Sequence, residues 1–280
     1  MAVKPPDLHA KVVVITGAAG SIGSALVEAV SAAGGIPIGV DIPAQASAPI
    51  LGCDITDESC VAATFQQILA DQGRIDVLIN NAGLSLIGDF DEHDIAAHQR
   101  VMAVNYFGAL ACTQAALPAL KASHGRIVTV SSVAGFAPVV GRPAYVGSKH
   151  AVTGLFEALR SELEPDGVGV TLVHPTFVAA PMVGTEHRPS TGGEVTPQDV
   201  ADAIINGIEH GKDRVLVGRI AQLSWYIRRA SPSLYAQMMS RRIRKAQGAK
   251  RDKAQPEQLC DHRRWPDRPG RCPRPAALWH

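Results

Sequence analysis

The sequence predicts one doubly wound α/β domain, a parallel sheet with helices on both faces. Three observations carry this. Short β-branched runs of the buried-strand type alternate with segments of helical period over most of the chain. The first run, Lys11–Thr16, passes through a glycine turn, Gly17-Ala18-Ala19-Gly20-Ser21-Ile22-Gly23, into a helix-period segment. The second run, Ile36–Val40, ends on Asp41, eighteen residues past Gly23.

Composition sets the bounds. A chain of 280 residues with 46% hydrophobic residues can bury one large core. A formal charge of +1 gives no reason to expect a nucleic-acid partner. The five cysteines (Cys53, Cys60, Cys112, Cys260, Cys272) are odd in number and scattered. With no CxxC pair and no His/Cys cluster, neither a disulfide framework nor a metal site is expected. Residues 1–10 lack an apolar segment of the secretory type, and no apolar run reaches membrane-spanning length. A cytoplasmic location is the expectation.

The elements follow in order. After Lys11–Thr16 comes a helix over Ser24–Ala33, with Leu26, Val27 and Val30 on its buried side. A short strand is expected at Leu51–Asp54, then a helix at about Glu58–Gln72. Ile75–Ile79 is a buried strand that runs into Asn80-Asn81-Ala82-Gly83. Asp94–Lys121 reads as one long helix, kinked at Pro118. The strand Arg126–Val130 delivers Ser131 and Ser132, and the helix Ala144–Leu163 carries Tyr145 and Lys149. Val168–Val173 is a strand leading to His174-Pro175-Thr176-Phe177-Val178. Ala179–Thr196 is rich in Gly, Pro, Ser and Thr and reads as a mobile loop. Pro197–His210 is a helix opened by Thr196 as N-cap, and Asp213–Val217 is the last strand. Ile220–Lys245 is basic and amphipathic, broken at Ser231-Pro232, and reads as a lid over about 219–245. Residues 1–246 thus form the folded domain. Residues 247–280, dense in Arg and Pro without apolar periodicity, read as a disordered tail.

Tyr145 and Lys149 lie four apart, which on a helix brings their Cβ atoms to about 5–6 Å. A phenol, with a pKa of about 10, is a poor proton carrier at neutral pH. A fixed ammonium beside it favours the phenolate. Ser132, from a neighbouring strand end, can hydrogen-bond the same substrate oxygen. That set suits proton transfer to or from an alcohol or carbonyl oxygen. The glycine turn complements it: strand, tight glycine turn and helix N-terminus are what a pyrophosphate needs, and an acid such as Asp41 accepts from ribose hydroxyls.

Taken together, these segments resemble the short-chain dehydrogenase/reductase family over about residues 8–245. The motifs stand in the family's order: TGAAGSIG at 16–23, the acid at 41, CD at 53–54, NNAG at 80–83, VN at 104–105, SS at 131–132, YVGSK at 145–149 and HPTFV at 174–178. The resemblance implies a Rossmann-type fold, NAD as cofactor, and catalytic roles for Asn105, Ser132, Tyr145 and Lys149. Tyr145 would be the acid/base, with Lys149 lowering its pKa. Ser132 would orient the substrate and Asn105 would hold a relay water. It further implies cofactor contacts from Gly17, Gly20, Ser21, Ile22, Gly23, Asp41, Asp54, Ile55, Asn81, Ala82, Gly83, Tyr145, Lys149 and Val178. Three positions depart from the family pattern: Ser21 in the glycine loop, Thr176 in place of the usual Gly after Pro175, and Ala180 in place of a frequent Thr.

The function expected is hydride transfer between NAD and a small apolar secondary alcohol or ketone. Leu84, Phe136, Val139, Val140, Phe177 and Met182 are the candidate pocket residues. Reduction of a 3-oxoacyl thioester and a non-catalytic NAD-binding scaffold are the alternatives. His93, His98 and His174 read as structural or exposed. The stripe Arg228, Arg229, Arg241, Arg242 and Arg244 reads as a solvated face, with peripheral membrane contact the alternative. Small and apolar residues on more than one face of the long helices (Ala109, Ala111, Ala115; Ala151, Gly154, Ala158) imply a homodimer or homotetramer.

Overall fold

The computed structural model describes residues 7–180 and 193–241. Seven parallel strands form one sheet in the order β3-β2-β1-β4-β5-β6-β7. The strands are β1 (Val12–Thr16), β2 (Ile36–Asp41), β3 (Leu51–Gly52), β4 (Val77–Asn80), β5 (Arg126–Val130), β6 (Gly169–Pro175) and β7 (Arg214–Val217). The helices are α1 (Ser21–Ala32), α2 (Glu58–Gln72), α3 (Ile95–Met102), α4 (Ala109–Ser123), α5 (Pro143–Leu163), α6 (Pro197–Glu209) and α7 (Arg219–Ala230).

Strand alternation divides the interior into two cores. Val14, Leu78, Ile127 and Leu172 point to one face, where they meet Phe65 of α2, Leu120 of α4 and Phe156 of α5. Their neighbours Val13, Ile15, Ile79, Val128 and Val173 point to the other, against Leu26 and Val30 of α1 and Ile204 and Ile208 of α6. Strands buried on both faces need apolar residues at every position, which is why they read as continuous runs.

From β1 the chain winds out to β2 and β3, then returns past β1 to β4. The crevice at that reversal lies outside the C-terminal ends of β1 and β4. The glycine turn leaves β1 there, and Asn81-Ala82-Gly83 leaves β4.

Three boundaries differ from the sequence reading. Helix α1 starts at Ser21, with Gly20 as N-cap, so the end of the glycine turn is already helical. Strand β3 keeps two residues, and beyond it Cys53 N donates to Asp41 O (2.7 Å). The single helix expected over 94–121 is interrupted, but at a π turn, Ala103–Gly108, while Pro118 sits inside α4. Thr196 and Asp199 form the expected reciprocal cap of α6.

The chain divides into a unit of residues 1–235 and a second of 236–280. In the second, residues 236–241 are described and are helical. Met182, most of the 179–196 loop, the end of the expected lid and the tail at 247–280 lie outside the described residues. Among the described residues no helix is long and apolar enough to cross a membrane, and no cluster of three or more His, Cys, Asp or Glu could hold a metal ion.

Candidate active site

The glycine turn is shaped by close backbone approach. Gly17 has φ +68°, and a Cβ on it would stand 2.8 Å from Ala82 Cα. A Cβ on Gly23 would stand 2.0 Å from Gly17 O, so no other residue fits without moving the turn. Gly20 caps α1 without a side-chain bond, leaving the first N–H groups of the helix, at Ser21, Ile22 and Gly23, open to an anion. Thr16 Oγ1 accepts from Asn81 N and Ala82 N (both 3.1 Å), and Asn81 Nδ2 donates to Thr16 O (3.0 Å) and Gly17 O (3.1 Å). Asn81 and Ala82 therefore brace the turn from β4. Thr16 completes that brace and was not singled out in the sequence.

Asp41 is 8% exposed at the end of β2. Its Oδ2 accepts from Ala19 N and its Oδ1 from Ile42 N, both at 2.8 Å. Each oxygen keeps further acceptor capacity. Asp54 Oδ1 is engaged by Thr56 N (2.9 Å) and Thr56 Oγ1 (2.8 Å), a turn that leads into α2. Ile55 is buried against Gly108 of the π turn.

Ser132 follows β5 with extended backbone (φ −172°, ψ 169°), and its Oγ accepts from Ala134 N at 3.1 Å. Tyr145 sits in the first turn of α5. Burial raises its phenol above the ordinary value, while the neighbouring Ser132 hydroxyl and the charge of Arg142 pull it down. Lys149 lies one turn on, with Nζ 5.7 Å from the Tyr145 ring centroid. That Nζ donates to Val130 O (2.8 Å), not to the phenol, and burial lowers its pKa to about 8. Thus Ser132 and Arg142 bear on the phenol's charge. Arg142, whose Nη1 donates to Ser85 Oγ (3.4 Å), is a second residue the sequence reading passed over.

Asn105 lies in the π turn, 2% exposed. Its Nδ2 donates to Leu84 O (2.9 Å) and Ser148 Oγ (2.8 Å), and its Oδ1 accepts from Leu84 N (2.7 Å). A Cβ on Gly83 would stand 3.5 Å from Asn105 Oδ1 and 3.7 Å from Lys149 Nζ, so these groups converge. A π turn releases the backbone from the α-helical ladder and is frequent at functional sites.

On the substrate side, Val140 and Phe177 are exposed and Leu84 and Val139 half-buried. Phe136 is buried, edge-on to His174 and Trp225. Thr176 takes no positive φ, so the departure from Gly leaves the backbone unstrained. Val178 pairs with Val195 in an isolated parallel bridge. A cleft of about 500 Å³ between α1 and α6, lined by Glu28, Asp202 and Glu209, is remote from all of these groups.

The chain is similar to known proteins. A family model described as short chain dehydrogenase matches residues 11–190. The chain is 32% identical over 269 residues to the Anopheles gambiae dehydrogenase/reductase SDR family protein 7-like, covering 85% of this chain and 84% of that protein. A short chain dehydrogenase from Burkholderia cenocepacia, in complex with NADP, superimposes with a TM-score of 0.73 at 28% identity, over 83% of this chain and 98% of that one. One from Burkholderia phymatum, in complex with NAD, shares the fold with a TM-score of 0.70 at 24% identity, over 82% of this chain and 96% of that one.

Proposed function

Because the chain belongs to the short-chain dehydrogenase/reductase family, we propose that it transfers a hydride between NAD and an apolar secondary alcohol or ketone. It is an oxidoreductase of that family, and the related structures bind NADP or NAD. The observation that carries the proposal is the buried Tyr145 phenol, its pKa raised by burial and pulled back down by Ser132, with the Lys149 ammonium 5.7 Å from its ring. A protein that only bound a dinucleotide would need no such tyrosine.

When bound, the nicotinamide accepts the hydride in oxidation or supplies it in reduction. The chain's own residues do the rest. The open N–H groups of α1 take the pyrophosphate, with Gly17, Gly20 and Gly23 letting it approach. Asp41 would accept from the adenosine ribose, Asp54 and Ile55 would hold the adenine, Asn81, Ala82 and Gly83 would line the adenosine side, and Val178 would contact the carboxamide. Ser132 holds the substrate oxygen. In oxidation the Tyr145 phenolate takes the hydroxyl proton as the C–H pair departs; in reduction the phenol returns it. The Lys149 ammonium favours the phenolate. The π turn at Asn105 offers a water site beside Lys149.

The apolar Val140 and Phe177 favour an aliphatic or alicyclic substrate over a sugar. Gly154 and Ala158 of α5 are exposed, and Phe107 beside α4 is 57% exposed, which supports pairing of the chain through these helices. The test is a panel of secondary alcohols with NAD, followed by the absorbance of reduced cofactor. Tyr145→Phe should bind NAD with unchanged affinity and lose turnover by about three orders of magnitude. A mutant that kept a tenth of the wild-type rate would remove Tyr145 from the chemistry.

A further inference from the structure

His174, at the end of β6, is fully buried and belongs to no group invoked above. Its Nδ1 lies 2.9 Å from the main-chain oxygen of Ser132. A carbonyl only accepts, so Nδ1 carries the hydrogen and Nε2 a bare lone pair. Nε2 has no hydrogen-bond partner among the described residues. Burial, joined by the charges of Arg214, Lys149 and Arg160, lowers the pKa of the ring to about 4, against the raising effect of the Ser132 bond. The imidazole is therefore neutral at every pH at which the enzyme would work, and its one donor is spent on the serine.

The ring is gripped from two sides. Phe136 meets it edge-on with centroids 5.3 Å apart, and Trp225 of α7 stacks on it at 6.2 Å and 25°. Trp225 also meets Phe136 edge-on at 5.1 Å. On Trp225 lies the Arg214 guanidinium of β7, 3.9 Å from the ring, itself ion-paired to Glu157 of α5. A continuous chain of contacts thus runs from α5 through β7 and α7 to the main chain of Ser132. The Ser132 carbonyl also accepts from Gly135 N at 2.9 Å. The Ser132 carbonyl is thus held twice and its Oγ is tied to Ala134 N, so the main chain and side chain of the serine are both braced.

We propose that His174 is a positioning residue for Ser132, and that Trp225, held by Arg214, fixes the His174 ring and so couples the docking of α7 to the catalytic geometry. Replacing the imidazole frees the serine carbonyl and loosens the turn at Val133–Gly135. Removing the indole lets the imidazole tilt with the same result. Neither residue touches the cofactor side. The proposal rests on the enzymatic reading above, so its test needs one measurement that does not depend on turnover.

That measurement is amide hydrogen exchange over residues 132–137, made on the full chain as wild type, His174→Leu, His174→Asn, Trp225→Ala and Trp225→Phe. In His174→Leu and Trp225→Ala these amides should exchange at least about tenfold faster, while those of β1 and β2 stay unchanged. In the alcohol assay the same two variants should lose at least about tenfold in kcat with NAD affinity unaltered. Asn, which can donate to the same carbonyl, and Phe, which keeps the stack, should each restore part of both. A wild type that turns over no alcohol, with exchange still accelerated in the variants, would overturn the proposed reaction and keep the positioning role. Unchanged exchange over 132–137 in both disruptive variants would overturn the positioning role. If His174→Leu fails to fold, Trp225→Ala against Trp225→Phe decides, because Trp225 is half-buried and its loss spares the sheet.

Discussion

Asp41→Ala alters two interactions at once, and the structure separates their sizes. The first is repulsion. Under the proposed function, a cofactor with a 2′-phosphate would bring a charge of about −1.5 to −2 to the ribose edge next to Asp41. At about 4 Å a pair of unit like charges costs about 1 kcal/mol in water and about 4 kcal/mol at the effective dielectric near a protein surface. Asp41 is 8% exposed, so its field is only partly screened. Wild type should therefore bind NAD over NADP by at least about tenfold, or 1.4 kcal/mol. The second interaction is the bond from Ala19 N to Asp41 Oδ2 at 2.8 Å, which ties the glycine turn to β2. A hydrogen bond to a charged group contributes about 1.5–3 kcal/mol. Alanine removes both: the NAD:NADP ratio should fall to within about threefold of unity, while NAD itself binds about tenfold more weakly. Asp41→Asn distinguishes the two effects, because its oxygen can still meet Ala19 N–H while the charge is gone. Titration calorimetry with both dinucleotides measures the four constants without any substrate. Equal binding of NAD and NADP by wild type, or an unchanged ratio in Asp41→Ala, would refute the reasoning.

Three further outcomes are expected. Gly23→Ala should leave the protein folded but reduce dinucleotide binding at least about a hundredfold, since the added methyl would displace Gly17 O from 2.0 Å; calorimetry reads it. Lys149, its pKa lowered by burial to about 8, would under the proposed function favour the phenolate at pH 7. In Lys149→Met the phenol should rise further and the onset of oxidative turnover should move to higher pH, which the pH dependence of kcat would show. Asp76 accepts from Val12 N (3.0 Å) and Arg74 Nε (2.8 Å) and pairs with Lys11. Burial alone would raise its pKa, but those partners hold it below the ordinary carboxylate value. A lowered folded pKa means that the stabilisation is present above the unfolded pKa of about 3.9 and is lost as pH falls through the folded one. Asp76→Asn should cost about 2 kcal/mol in urea unfolding at pH 7 and much less at pH 2.

The strands, the glycine turn and the capped start of α6 were legible because their causes are local: β-branched runs, glycines and a Thr–Asp cap at fixed spacing. Other features have causes spread along the chain. Pro118 drew the expected helix break, but the break follows Asn105, whose partners Leu84 and Ser148 are distant in sequence. Lys149 was expected to lower the pKa of Tyr145 and to contact the cofactor; that its Nζ also donates to Val130 O depends on how α5 lies against β5. His174 read as structural because its tie to Ser132 exists only once β5 and β6 pair with Val130 beside Val173. Strand β3 shrank to two residues because edge pairing is a tertiary matter, and residues 181–192 and 242–280 lie outside the described residues.

The π turn at Ala103–Gly108 has a consequence for phase. An α-helix advances about 100° per residue, so the one residue that widens this turn sets α4 back by about a quarter revolution from the continuation of α3. With that offset Cys112, Ala116 and Leu120 face the sheet. Deleting any one residue between 103 and 108 would restore a continuous helix, rotate those three side chains out of the core and withdraw Asn105 from Leu84. The candidate site and the register of a core helix are thus encoded by the same surplus residue. A change of length in this segment would thus disturb both at once.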